Sequence, residues 1–129
     1  MSDNKKILVI DDDPSIITFM TALLEDNGYE VVTAENGAIG LEKLKAEKPD
    51  LVLLDITMPE KSGVRFYRDV RENEETKGTP VIMVTGVMQE FKNFISSRRQ
   101  VPPPDGYLTK PVDQALLLKT ITEVLAKNN

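Results

Sequence analysis

Apolar residues in this chain follow two alternating patterns. Ile7-Leu8-Val9-Ile10, Leu51-Val52-Leu53-Leu54 and Val81-Ile82-Met83-Val84 are short unbroken runs. Apolar on both faces, they predict strands buried on both sides of a sheet. Glu30-Val31-Val32-Thr33-Ala34 and Tyr107-Leu108-Thr109 predict two shorter strands. Between the runs, apolar positions recur at helical spacing. Ile16, Ile17, Met20, Leu23 and Leu24 mark a first helix, Ala38, Leu41 and Leu44 a second, Val64, Tyr67 and Val70 a third. Met88, Phe91, Phe94 and Ile95 predict a short fourth helix, and Val112 to Ala126 a last one with Leu117, Ile121 and Val124.

The polar punctuation agrees with these elements. Asp13 can cap the first helix, and Pro14 fits its first position. Gly28 closes that helix. Asn36-Gly37 turns into the second, which ends before Pro49. Asp50 precedes the central strand, residues 51–55. Glu72 to Thr79 is a polar connection, and Pro80 to Thr85 is the fourth strand. Strand and helix therefore alternate five times with no repeat and no linker. That predicts an α/β fold: a doubly wound, flavodoxin-like, five-stranded parallel sheet with five helices and right-handed crossovers. The expected strand order is 2-1-3-4-5. Residues 1–129 read as one domain, with residues 1–4 a disordered N-terminus.

That order has a chemical consequence. Ligands bind open α/β sheets in the crevice at the carboxyl ends of the strands. Asp11 and Asp12 follow the first strand, and Asp55 ends the third, so all three meet at one edge. Thr85 and Lys110 end the fourth and fifth strands at the same edge. A carboxylate there is costly unless a cation or a reaction needs it. Three together repel one another, and without a cation at least one pKa should rise. Phosphoryl transfer needs an in-line nucleophile and positive charge on the equatorial oxygens. Asp55 supplies the nucleophile, Lys110 a mobile point charge and Thr85 a hydroxyl donor.

Composition narrows the chemistry. Of 129 residues, 40% are hydrophobic and 29% charged, an ordinary globular balance. The net charge of −5 argues against nucleic acid or an anionic membrane as a direct partner. There is no cysteine and no histidine. Thiolate zinc sites, disulfides, thiol nucleophiles and serine–histidine catalysis are excluded. Oxygen ligands alone point to a hard cation, Mg²⁺ before Ca²⁺. The polar start Met1 to Lys6 is no signal peptide, and no apolar run is long enough to span a bilayer. The expected location is the cytoplasm.

Each residue also has a plainer reading. Asp11 and Asp12 alone could be a turn and helix start. Asp13 reads as a cap rather than a ligand. Thr85 suits the end of a strand, and Lys110 alone would be a solvated lysine. Tyr107 suits half-buried packing as readily as a switch. Met58, Phe91 and Phe94 read as packing, and Arg98-Arg99 as a solvated face.

Taken together, the motifs resemble the receiver domain of two-component response regulators over essentially the whole chain. The matching residues are Asp11-Asp12, Asp55 with Met58-Pro59 and Gly63, Thr85, and Lys110-Pro111, in order and at family-like spacing. The likeness is to chemotaxis-regulator-like, stand-alone receivers. It implies that Asp55 takes a phosphoryl group from a sensor histidine kinase or phosphotransfer protein, and that the chain then acts on a downstream protein target. It implies Mg²⁺ held by Asp12 and Asp55, by Asp11 mainly through water, and by the Thr57 backbone carbonyl. It also implies a Thr85–Tyr107 switch pair, a cis Lys110-Pro111 bond, and a phosphoacceptor rather than an enzyme proper. The chain departs from the family pattern at Gly86, where alanine or serine is common, and at Ser96-Ser97-Arg98-Arg99-Gln100 and Pro102-Pro103-Pro104. Two other classes compete. A Mg²⁺-dependent aspartyl-phosphate phosphatase would need a second aspartate two residues after the nucleophile, where this chain has Thr57. A flavodoxin-like FMN carrier would bind phosphate in the first loop, where Asp11, Asp12 and Asp13 would repel it.

Overall fold

The structure, a computed structural model, describes residues 5–56, 62–86 and 104–127. In chain order these form β1 (Lys6–Ile10), α1 (Pro14–Asp26), β2 (Glu30–Ala34), α2 (Gly37–Glu47), β3 (Leu51–Asp55), α3 (Ser62–Glu72), β4 (Val81–Thr85), β5 (Gly106–Thr109) and α4 (Gln114–Lys127). The five strands lie in the order β2-β1-β3-β4-β5, every pair parallel, as the sequence predicted. The expected helix over Met88–Ile95 and the segment Ser96–Pro103 lie outside the described residues. Among the described residues, no helix is long and apolar enough to cross a membrane.

Strand alternation sends successive apolar side chains to opposite faces, and each face builds its own core. Leu8, Ile10, Val52, Leu54, Val81 and Met83 pack with Leu44 of α2 and Phe66, Tyr67 and Val70 of α3. Ile7, Val9, Leu51, Leu53, Ile82 and Leu108 pack with Met20 and Leu24 of α1 and Leu117, Ile121 and Val124 of α4. All five residues of β3 are buried. Each fully buried aliphatic side chain contributes about 1.5–3 kcal/mol, so the two cores outweigh the local signals.

Those local signals set the element ends. The Asp13 side chain caps α1 by accepting from the Ser15 amide at 2.9 Å, with Pro14 in the first turn. Asn36 caps α2 by accepting from the Ile39 amide at 2.8 Å. Gly28, at φ +89°, turns the chain after α1, where the Tyr29 amide reaches the Leu24 carbonyl at 3.0 Å. The end of α2 is less usual: Lys48 adopts the left-handed region at φ 49°. A non-glycine there costs roughly 1–2 kcal/mol. The connection after α3 is partly internal, since Thr76 is buried and donates to the Val70 carbonyl at 2.8 Å.

One glycine brings α3 onto the strand end that matters. A Cβ on Gly63 would run into the Asp55 carbonyl oxygen and lie 2.8 Å from the Ile56 Cα. Only a residue without a side chain allows that approach. The first turn of α3 thereby buttresses the backbone of Asp55.

Candidate functional site

Parallel strands point their carboxyl ends the same way, so the residues that end β1, β3, β4 and β5 share one edge. Asp11 follows β1, and its amide donates to the Ala34 carbonyl of β2 at 3.1 Å. Asp55 is the last residue of β3 and pairs with Val84 of β4. Thr85 ends β4, opposite Thr109 of β5. Lys110 follows β5, and its amide donates to the Thr85 carbonyl at 2.8 Å. The Lys110-Pro111 bond is cis, as the family resemblance implied.

The side chains converge. Lys110 Nζ lies 3.3 Å from Asp55 Oδ2 and 3.4 Å from Asp11 Oδ2. Asp11 and Asp55 are each 3% exposed, whereas Asp12 is exposed. One oxygen from each of Asp11, Asp12 and Asp55 falls within 4.8 Å of the others. Three hard oxygen donors at that spacing, open to solvent on the Asp12 side, fit Mg²⁺ with waters retained. Lys110 sets one positive charge against three negative ones.

Burial and the charges of Asp11, Asp55 and Lys110 act together on titration. Burial pushes the Asp11 carboxyl above its ordinary value, and the negative charge of Asp55 adds to the push. The Asp13 amide, which donates to Asp11 Oδ1 at 2.9 Å, and the Lys110 ammonium oppose it without cancelling it. For Lys110, burial works against the charge. Attraction to Asp55 and Asp11, with hydrogen bonds to both, prevails and raises the pKa. One ammonium shared between two buried carboxylates thus gains more than Asp11 does.

Sequence reading located Asp11, Asp12, Asp55, Thr85 and Lys110, and the structure brings the strand ends that carry them to one edge. Thr85 is buried. Tyr107 lies on β5 and is 59% exposed, so its ring is not packed into the core. Thr57, with Met58 and Pro59, lies outside the described residues, as do Phe91, Phe94, Arg98 and Arg99. Two further residues escaped the sequence reading. Arg71 and Asp105 form an ion pair at 3.0 Å near the opposite end of the sheet. A polar stretch with one arginine and one aspartate 34 residues apart carries no local sign of such a pair.

Known proteins share this architecture. Residues 7–122 match the response regulator receiver domain. Protein PilH of Pseudomonas aeruginosa is 44% identical over 121 residues, covering 94% of this chain and 98% of that protein. The alkaline phosphatase synthesis transcriptional regulatory protein PhoP of Bacillus subtilis is 38% identical over 108 residues, 84% of this chain and 43% of that protein. Among solved structures, a CheY-like receiver domain protein from Methanospirillum hungatei JF-1 superposes with a TM-score of 0.84 at 33% identity, covering 98% of this chain and 97% of that one. The chemotaxis response regulator CheY4 of Vibrio cholerae gives a TM-score of 0.81 at 33% identity, covering 95% and 99%. With strand order, acidic edge and sequence in agreement, the chain belongs to the response regulator receiver domain family.

Proposed function

We propose that Asp55 is the phosphoacceptor of this receiver. Receiver domains take phosphate from histidine kinases, bind Mg²⁺ at an acidic pocket and signal to downstream targets. The observation that carries the reading is the placement of Asp55: buried at a strand end, 3.3 Å from the Lys110 ammonium and grouped with Asp11 and Asp12.

An Asp55 carboxylate oxygen attacks the donor's phosphorus in line, forming an acyl phosphate. The bond to the donor's leaving atom breaks, and that atom departs with the electron pair. Lys110 pairs with Asp55 beforehand and, by a short swing of its flexible stem, reaches an oxygen of the arriving phosphoryl group. The Thr85 hydroxyl donates to another. Asp11, Asp12 and Asp55 would hold Mg²⁺, which would supply positive charge to the phosphoryl oxygens. No general base is needed, because the nucleophile is already an anion.

The Thr85 hydroxyl is also the start of the signal in this reading. Drawn toward the phosphoryl group, it vacates space, and the exposed ring of Tyr107 turns inward to fill it. Two packings that differ by only a few kcal/mol suffice for such a switch. The moved surface meets the downstream target.

Acetyl phosphate with Mg²⁺, followed by intact mass and site mapping, tests the proposal. One phosphoryl group on Asp55 is the expected result, and undiminished labelling of Asp55→Asn would falsify it. Thr85→Ala should still label but lose amide chemical-shift changes at Tyr107 on adding beryllofluoride. A wild-type response from Thr85→Ala would remove the hydroxyl from the signal path.

A further inference from the structure

β5 is weakly held for a strand that carries Lys110. It is four residues long, lies at the edge of the described sheet and pairs with β4 alone. Leu108 is its one buried residue. Edge strands with little buried surface are prone to register slip, and a one-residue slip sends every side chain to the opposite face. Each residue of slip moves the strand roughly 3.3 Å along its axis. That would separate the Lys110 amide from the Thr85 carbonyl and carry Nζ out of reach of Asp55 and Asp11.

A clamp at the foot of β5 opposes that slip. The Asp105 amide donates to the Val81 carbonyl at 2.9 Å, and the Val81 amide donates back to Asp105 Oδ2 at 2.8 Å. The same oxygen accepts from Arg71 Nη2 at 3.0 Å. Arg71 is itself fixed, with a side chain only 6% exposed. Its Nη1 donates to the Thr79 carbonyl at 2.7 Å and the Lys77 carbonyl at 3.1 Å, and its Nε to the Tyr67 hydroxyl at 3.2 Å. The guanidinium carbon lies 4.9 Å from the centre of the Tyr67 ring, and Tyr67 is in the core between sheet and helices. One planar fork therefore fastens α3, the loop before β4 and the first residue before β5 to one another.

We infer that Arg71 and Asp105 are positioning residues for Lys110, setting the register of β5 on β4 and so holding the ammonium beside Asp55. The functional part of the inference rests on the phosphoacceptor reading above. The clamp grips one end of β5, and Lys110, whose amide donates to the Thr85 carbonyl, is the other. The strand between them is a short extended link, so fixing its foot fixes its tip.

The test is a double-mutant cycle. Initial rates of Asp55 labelling by acetyl phosphate and Mg²⁺ are compared for Asp105→Ala, Lys110→Ala and the pair, well below each unfolding midpoint. In parallel, hydrogen exchange of the Lys110 amide is measured. Asp105→Ala should slow labelling by on the order of tenfold to a hundredfold, the scale of an ångström-level misplacement. It should add no slowing in the Lys110→Ala background, and the Lys110 amide should exchange faster. Asp105→Asn keeps an acceptor oxygen for both donors and should retain most of the rate. If Asp105→Ala does not fold, Arg71→Lys takes its place, since one ammonium cannot span Tyr67, Thr79 and Asp105. Equal slowing in both backgrounds, or an unchanged Lys110 amide, overturns the inference. If the unmodified protein takes no label at Asp55, the phosphoacceptor reading falls. The exchange rate then decides the clamp alone: faster exchange supports it, unchanged exchange rejects it.

Discussion

Gly63→Ala sets two physical effects against each other with opposite signs. Gly63 is the second residue of α3, and alanine is the better helix former by up to about 1 kcal/mol. Helix propensity alone therefore predicts a more stable protein. The packing predicts the reverse. The new methyl carbon would sit against the Asp55 carbonyl oxygen, well inside ordinary contact at roughly 3.5 Å. The second obstruction, the Ile56 Cα at 2.8 Å, is also backbone, so no side-chain tip can swing aside. Overpacking of this kind costs typically 1–3 kcal/mol, and the propensity gain is smaller at a helix start than in its interior. The expected net effect is a loss of about 1–2 kcal/mol. In urea unfolding that is a midpoint lowered by roughly 0.5–1 M at constant slope. Gly78→Ala is the control: nothing lies within 4 Å of its added methyl, so stability should hold or rise slightly. The same relief of the clash moves the Asp55 backbone, so Gly63→Ala should also label more slowly. If Gly63→Ala is as stable as the wild type, the close approach of α3 to β3 is wrong.

Two further outcomes follow from the acidic edge. Mg²⁺ should raise the unfolding temperature, by about 2.7 kcal/mol of stability at a concentration a hundredfold above its dissociation constant, and Asp12→Ala should lose most of that gain; equal gains in both proteins would place the ion elsewhere. In EDTA at neutral pH, Asp11→Asn should be more stable than the wild type, because it keeps the acceptor for the Asp13 amide and removes a charge that burial and Asp55 disfavour. Asp11 has a raised pKa in the folded chain, so the folded state binds its proton more tightly than the unfolded state does. Its ionisation costs stability as pH rises through that folded value. The advantage of Asp11→Asn should therefore shrink as pH falls through it toward the ordinary 3.8. An advantage that grows on acidification would contradict the assignment.

The sheet and its acidic edge were legible because their signals are local or strictly topological. A parallel strand buried on both faces must be apolar throughout, and β1, β3 and β4 read that way directly. Asp13 acts on an amide two residues away, so its capping role shows in the sequence, whereas Asn36, read only as a turn, also caps its helix. Strand order then brought Asp11, Asp55 and Lys110 together without any contact information. Elsewhere the sequence was silent for identifiable reasons. Phe66 is buried but sits between Arg65 and Tyr67, outside the narrow stripe of Val64, Tyr67 and Val70. Lys48 takes a left-handed turn that composition would assign to glycine. Thr76 is buried in what reads as a polar connection, and the Arg71–Asp105 pair joins elements that pattern alone leaves unrelated. The last helix was expected from Val112 and begins at Gln114, after the cis Lys110-Pro111 bond.

The two ion pairs of Lys110 bridge sequence separations of 99 residues to Asp11 and 55 to Asp55. Chains are synthesised at about 5–20 residues per second, so roughly 5–20 s pass between the appearance of Asp11 and that of Lys110. Throughout that interval the Lys110 ammonium, which pairs with Asp11 and Asp55 in the folded protein, is not yet made. The core of β1, β2 and β3 is already made by then, but bringing Asp55 beside Asp11 is opposed by their charges. Lys110 arrives just after β5, so on the ribosome the acidic edge gains its balancing charge late, with α4 still to follow.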